Sequence, residues 1–139
     1  LGEDDGNMLL ARAIQLFMPG KPQIWYLDLF AGKNDHEAVA RAGAGGHKEI
    51  NRTNLTKEQM EAGLKRDVVK KQLSMLRFRA EWPAFSFESA FSVTSDAERL
   101  VLCWEKDGYR AELDANLKTK VFQMRGISPQ GQQTFEMEQ

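Results

Sequence analysis

KPQIWYLDLFAGKNDHEAVARAGAGGHKEINR, residues 21–52, is the stretch whose reading decides the fold. It begins with an apolar run, Ile24-Trp25-Tyr26-Leu27-Asp28-Leu29-Phe30, about as long as a strand buried on both faces. A polar segment follows, rich in Gly, Ala, His, Lys, Asn and Asp and without clear period. Long polar loops at the ends of buried strands are where α/β proteins keep their chemistry. Such a strand needs neighbours, and the chain offers few candidates.

Upstream, Leu9, Leu10, Ala13, Ile14 and Phe17 recur at helical spacing, with Arg12 and Gln15 opposite and Asp5 as the expected N-cap. Met18-Pro19-Gly20 ends that helix. Downstream, Leu55-Thr56-Lys57-Glu58-Gln59-Met60 reads as a capping box with a hydrophobic staple, starting a short helix that Gly63 weakens. A second helix is expected from about Asp67, with Val69, Leu73, Leu76 and Ala80 as its apolar stripe and Trp82-Pro83 as its end.

After Pro83 the period changes to two. Phe87, Ser89, Phe91 and Val93 alternate with their neighbours, and Leu100–Trp104 is apolar on both faces. Lys106-Asp107-Gly108 supplies a hairpin turn, Tyr109, Ala111 and Leu113 alternate again, and 120–125 is a last strand. This predicts a four-stranded antiparallel meander over 85–127 and a loose tail over 128–139. The first half reads as an incomplete α/β unit and the second as a small β module. That mismatch, with a chain starting at Leu1 instead of Met, leads us to expect a processed or truncated piece of a larger fold.

Composition narrows the function classes. At 139 residues with 42% apolar content the chain fits one globular domain, or one small domain with a piece of another. A net charge of −1 gives no electrostatic case for nucleic acid or an anionic membrane. Cys103 is the only cysteine, so a disulfide framework is excluded. No apolar run approaches the roughly 20 residues that span a bilayer, and a cytoplasmic protein is expected.

Gly43, Gly45 and Gly46 beside Lys48 fail both nucleotide patterns. His47-Lys48-Glu49 stands where Gly-Lys-Ser/Thr is needed, and Lys48 stands where a dinucleotide fingerprint wants glycine. A loop with amides turned toward an anion stays open. His36 and His47 are the only histidines, too few for a zinc site with three or four ligands; no metal and no cofactor is expected. Ser74, Ser86 and Cys103 show no nucleophile–base pairing. The aromatic residues read mainly as core, with Tyr26 at the loop end of the apolar run the best exception as a ligand-facing ring.

Leu9–Gly20, Pro22-Gln23, Tyr26, Ala31-Gly32-Lys33-Asn34-Asp35 and Glu49-Ile50-Asn51-Arg52 together resemble the C-terminal part of sucrose phosphorylases, in the α-amylase superfamily. The resemblance runs in register from Leu1 to about Trp82. It implies the last β/α unit of a (β/α)8 barrel over 1–84, with residues 23–29 as the last strand, 31–55 as its active-site loop and 67–82 as the last helix. An antiparallel C-terminal domain would follow. It also implies retaining transfer of glucosyl from an α-glucoside to inorganic phosphate through a covalent glucosyl-enzyme. The catalytic Asp, Glu and Asp of that family would lie upstream of Leu1, so no catalytic residue is assigned here.

The family's arginine that contacts phosphate or acceptor falls on Lys48, which keeps the charge and loses the bidentate fork. Asp28 stands where sucrose phosphorylases carry glycine. Lys48, His47, Tyr26 and Asp28 are therefore the candidate phosphate- and substrate-binding residues, and both departures point to a glucoside other than sucrose, such as glucosylglycerate or glucosylglycerol. A hydrolase or transglucosidase of the same superfamily, and a stand-alone binding module, are the alternatives. A strand at 23–29 separated from its barrel would expose backbone and apolar groups, so self-association through it is also expected.

Overall fold

The computed structural model describes residues 2–139 as an α+β fold. Two long helices, α1 (Asp5–Phe17) and α5 (Asp67–Glu81), lie on one face of a five-stranded antiparallel sheet. The sheet strands are β1 (Ala90–Ser95), β2 (Arg99–Lys106), β3 (Tyr109–Asn116), β4 (Phe122–Ile127) and β5 (Gln133–Glu138). Between the long helices come α2 (Tyr26–Leu29), α3 (His36–Ala42), a 3₁₀ helix (Gly46–Asn51) and α4 (Lys57–Gly63).

The sheet order β1-β2-β3-β4-β5 follows the chain, each strand paired antiparallel with the next. Asp107 and Gly108 both have positive φ, 51° and 80°, the type I′ geometry that matches strand twist. At the β3–β4 turn the Asn116 carboxamide accepts from the amides of Lys118 and Thr119 at 3.0 and 2.8 Å. The segment expected to be a loose tail is instead β5, which reads as Gln/Glu-rich because most of its side chains face water. Phe135 and Met137 are the exceptions, on the core face.

One apolar core joins helices and sheet. Leu9, Ala13, Leu16 and Phe17 of α1 and Val69, Met75 and Phe78 of α5 meet Leu102, Trp104, Leu113, Phe122 and Met124. The Trp104 indole donates to the Phe17 carbonyl at 2.7 Å, so the largest ring in that layer is buried with its polar atom paired. Phe78 and Phe135 stack with centroids 3.9 Å apart across Gly126, where an added Cβ would stand 2.7 Å from the Phe78 ring. The opposite sheet face is charged: Arg110 and Arg125 both pair with Glu112, and Arg99 with Asp114.

The segment 23–29, expected as a barrel strand, is not one. Tyr26–Leu29 wind into α2, and residues 21–25 join no ladder. Every strand among the described residues belongs to the one antiparallel sheet, so no parallel neighbour is present to receive these amides. The backbone closes on itself instead. Leu27 is buried at its centre, while Trp25 just before it stays half-exposed.

The helix readings shift as well. Asp4, not Asp5, caps α1, accepting from the Asn7 amide at 2.8 Å. Arg12, read as facing water, is only 8% exposed. The buried side of α5 is Val68, Val69, Gln72, Met75 and Phe78, rotated from the expected stripe because a glutamine occupies its centre. The capping box of α4 is present in full: Thr56 Oγ1 accepts from the Gln59 amide at 3.2 Å, and Gln59 Oε1 from the Thr56 amide at 2.8 Å.

Gly126→Val places a branched side chain under the Phe78–Phe135 stack. The expected loss is about 1–3 kcal/mol, read as a lower midpoint in denaturant unfolding; an unchanged midpoint would show that the rings yield freely.

Candidate functional site

The loop between α2 and α4 carries the candidate residues, and its backbone explains its shape. α2 ends in a Schellman turn. The Gly32 amide donates to Leu27 O at 2.8 Å and the Ala31 amide to Asp28 O at 3.0 Å, with Ala31 in the left-handed region at φ 48°. Gly32 lies so close to the Leu27 side chain that a Cβ would sit 2.3 Å from it. Asp35 then caps α3, accepting from the Ala38 amide at 2.8 Å.

The glycines that invited a phosphate-loop reading have a local explanation. Gly43 and Gly45 have φ of 64° and 87°. Gly46 packs where a Cβ would stand 2.8 Å from Val39 O. Together they reverse the chain between α3 and the 3₁₀ helix.

The loop returns to where it began. The Asp35 amide donates to Ile50 O at 2.8 Å. The Trp25 indole donates to Asn51 O and the Tyr26 hydroxyl to Thr53 O, both at 2.8 Å. The two rings pack at 4.9 Å. Tyr26 is thus a strap on the loop's return, with its hydroxyl engaged by protein. His47 and Lys48 stand exposed on the 3₁₀ helix, and neither side chain has a hydrogen-bond or ion-pair partner among the described residues. Their neighbours Glu49 and Arg52 pair with each other at 3.0 Å.

Asp28 faces the other way, toward α1. It shares a cavity of about 350 Å³ with Met8, Ala11, Arg12, Gln15 and Gln23. Arg12 Nε donates to Gln72 Oε1 at 3.0 Å, and Arg12 Nη1 donates to Gln15 Oε1. Burial pulls the Arg12 guanidinium below its ordinary value, and the Asp28 carboxylate partly offsets this. The structure therefore groups His47 with Lys48, and places Tyr26 and Asp28 on one helix with opposite duties. The buried Arg12–Gln72 pair went unread in the sequence, since polar residues inside an apolar stripe carry no periodic signal.

His36 lies 3.4 Å from Glu3 on the surface. Among the described residues no three His, Cys, Asp or Glu side chains converge as metal ligands would, and no helix is long and apolar enough to cross a membrane. Burial raises the Cys103 thiol above its ordinary value, against the pull of Arg110, 3.1 Å away.

Tyr26→Phe removes one bond on the loop's return. The expected cost is about 1 kcal/mol, with amide exchange accelerated in residues 50–55 and unchanged in β2–β4. Acceleration spread evenly over the chain would mean that the strap supports the whole fold and not the loop.

No protein-family model matches the chain. Individual proteins do. The chain is 57% identical over 123 residues to a sucrose 6(F)-phosphate phosphorylase of Ilumatobacter coccineus, covering 88% of this chain and 23% of that protein. It is 38% identical to a glucosylglycerol phosphorylase of Marinobacter adhaerens, covering 86% of this chain and 25% of the other. The crystal structure of sucrose 6F-phosphate phosphorylase from Thermoanaerobacter thermosaccharolyticum superposes with a TM-score of 0.83 at 37% identity, over 96% of this chain and 26% of that one. The chain is therefore homologous to the sucrose phosphorylase-like enzymes it resembles, over a segment equal to about a quarter of their length.

Proposed function

We propose that this chain is the C-terminal part of a retaining glucoside phosphorylase. Residues 1–84 would form the end of its (β/α)8 barrel and the five-stranded sheet its C-terminal domain. The observation that carries the reading is the 57% identity over 123 residues to a sucrose 6(F)-phosphate phosphorylase. In the whole enzyme a carboxylate displaces the aglycone to form a glucosyl ester, while a carboxylic acid protonates the departing oxygen. A phosphate oxygen then attacks the anomeric carbon, the ester bond breaks, and α-glucose 1-phosphate leaves. Those carboxyl groups belong to the part of the enzyme before Leu1, and the chain alone is inactive.

What this chain contributes is the loop. A lysine exposed and without a partner among the described residues, beside an exposed histidine, suits an anionic acceptor: Lys48 supplies a point charge and His47 a neighbouring donor. The glucosyl donor is sucrose or a related α-glucoside, and sucrose 6(F)-phosphate is the first to test, since the 57% identical relative is a sucrose 6(F)-phosphate phosphorylase. Glucosylglycerol is the second, since a phosphorylase of that substrate is 38% identical.

The test uses the full-length enzyme with each glucoside, with and without phosphate. Glucose 1-phosphate that appears only with phosphate is the expected result. Free glucose at the same rate without phosphate would make the enzyme a hydrolase and overturn the reading. Lys48→Ala is expected to raise the KM for phosphate about tenfold, the loss of one charge-assisted hydrogen bond, with the glucoside KM little changed. Equal changes in both would remove Lys48 from the phosphate site.

A further inference from the structure

Four consecutive carbonyls at the end of α2 are held by two side chains from one distant helix and its cap. Gln72 Nε2 donates to Asp28 O and Leu29 O, at 3.1 Å each. Arg66 Nη1 donates to Phe30 O at 3.2 Å and to Ala31 O at 2.8 Å. Each donor is itself held from behind. Arg12 Nε donates to Gln72 Oε1 at 3.0 Å, and Arg66 Nη2 lies 3.3 Å from both Asp5 carboxylate oxygens. The last carbonyls of a helix have no partner within it, and α2 is only one turn long. Its placement is therefore set from outside, by α5 and α1.

The candidate loop is fastened to this same turn at both ends. It departs after Gly32, directly beyond the four clamped carbonyls, and returns where Trp25 and Tyr26 hold Asn51 O and Thr53 O. A displacement of α2 would carry both anchors of the loop with it, and His47 and Lys48 stand between them.

We propose that Arg66 and Gln72 are positioning residues: by fixing α2 they set where the loop presents His47 and Lys48. The catalytic consequence rests on the phosphorylase reading above; the mechanical one does not. Arg66 suits the task because one planar fork reaches two successive carbonyls and a carboxylate together, which an ammonium group cannot. Its side chain is partly exposed, so it can be replaced without opening the core. Gln72 is fully buried, and its loss would remove the side-chain donor from Asp28 O and Leu29 O and the acceptor from Arg12 Nε.

The mechanical arm is read in the 139-residue chain by amide hydrogen exchange. Arg66→Met is expected to accelerate exchange about tenfold in residues 46–53, the scale of one ordinary hydrogen bond, with β2–β4 unchanged. Unchanged loop exchange, or acceleration equal across helices and sheet, overturns the proposal.

The catalytic arm is read in the full-length enzyme. Arg66→Met is expected to raise the phosphate KM about fivefold while kcat and the glucoside KM stay within about twofold, and Arg66→Lys to recover part of the loss. Gln72→Met should move the same parameter, which guards against an effect peculiar to residue 66. Equal changes in both KM values, or a fall in kcat alone, overturn the catalytic role. A parent enzyme indifferent to phosphate would instead sink the phosphorylase reading and the catalytic role with it, leaving the exchange result to decide the clamp.

Discussion

A buried backbone must pair its amides and carbonyls, and this requirement governs residues 23–32 more than any side-chain preference does. The run Ile24–Phe30 is hydrophobic enough to be buried anywhere, but it has no ladder to join. An unmade backbone hydrogen bond inside the protein costs about 1–3 kcal/mol, so a lone extended strand here would lose several such increments. One turn of helix, a Schellman closure and the donors of Gln72 and Arg66 remove the deficit. The expense is modest: Ala31 in the left-handed region, and the Arg12 guanidinium and Gln72 carboxamide withdrawn from water.

The same requirement explains why the molecule has one core where the sequence reads as two unlike halves. A five-stranded meander satisfies its own backbone but leaves one apolar face, and α1 and α5 present apolar faces with nothing else to cover. They meet through Leu16, Phe17, Met75 and Phe78 on one side and Leu102, Trp104, Leu113 and Met124 on the other. Two indole hydrogen bonds, Trp104 to Phe17 O and Trp82 to Arg110 O, span the junction between helical half and sheet. Gly126 makes that junction close, because only a missing side chain lets Phe78 lie against the strand.

Features set by local chemistry were legible in the sequence. The capping box at Thr56, the Asp107-Gly108 turn, the end of α5 before Pro83 and the alternation in β3 all depend on residues within a few positions of one another. Features set by distant partners were not. Residues 24–30 have the composition of a central strand, yet Tyr26–Leu29 wind into α2, whose carbonyls are held by side chains more than thirty residues away. Arg12 was read as facing water and Gln72 carried no reading, yet the two are buried together, with Arg12 Nε donating to Gln72 Oε1. β5 was hidden by Gln132, Gln133, Glu136 and Glu138, since an edge strand needs apolar residues on one face only. Of the four candidate site residues, His47 and Lys48 are exposed without a partner among the described residues, the Tyr26 hydroxyl donates to Thr53 O, and Asp28 lines the cavity beside Arg12.

Freedom and restraint are thus divided within one loop. Its ends are bound by backbone and indole hydrogen bonds, and the glycines that reverse it adopt conformations other residues resist. His47 and Lys48, between those ends, carry no side-chain partner among the described residues. A lysine on a loose loop would spread its charge over a large volume and lose entropy on meeting an anion, whereas a lysine on a loop fastened twice to one helix turn has only its own rotamers left to fix. In the anion-binding role proposed for it, Lys48 lacks the guanidinium fork and gains more from that restraint than an arginine would, because a point charge draws its directionality from where its backbone is held.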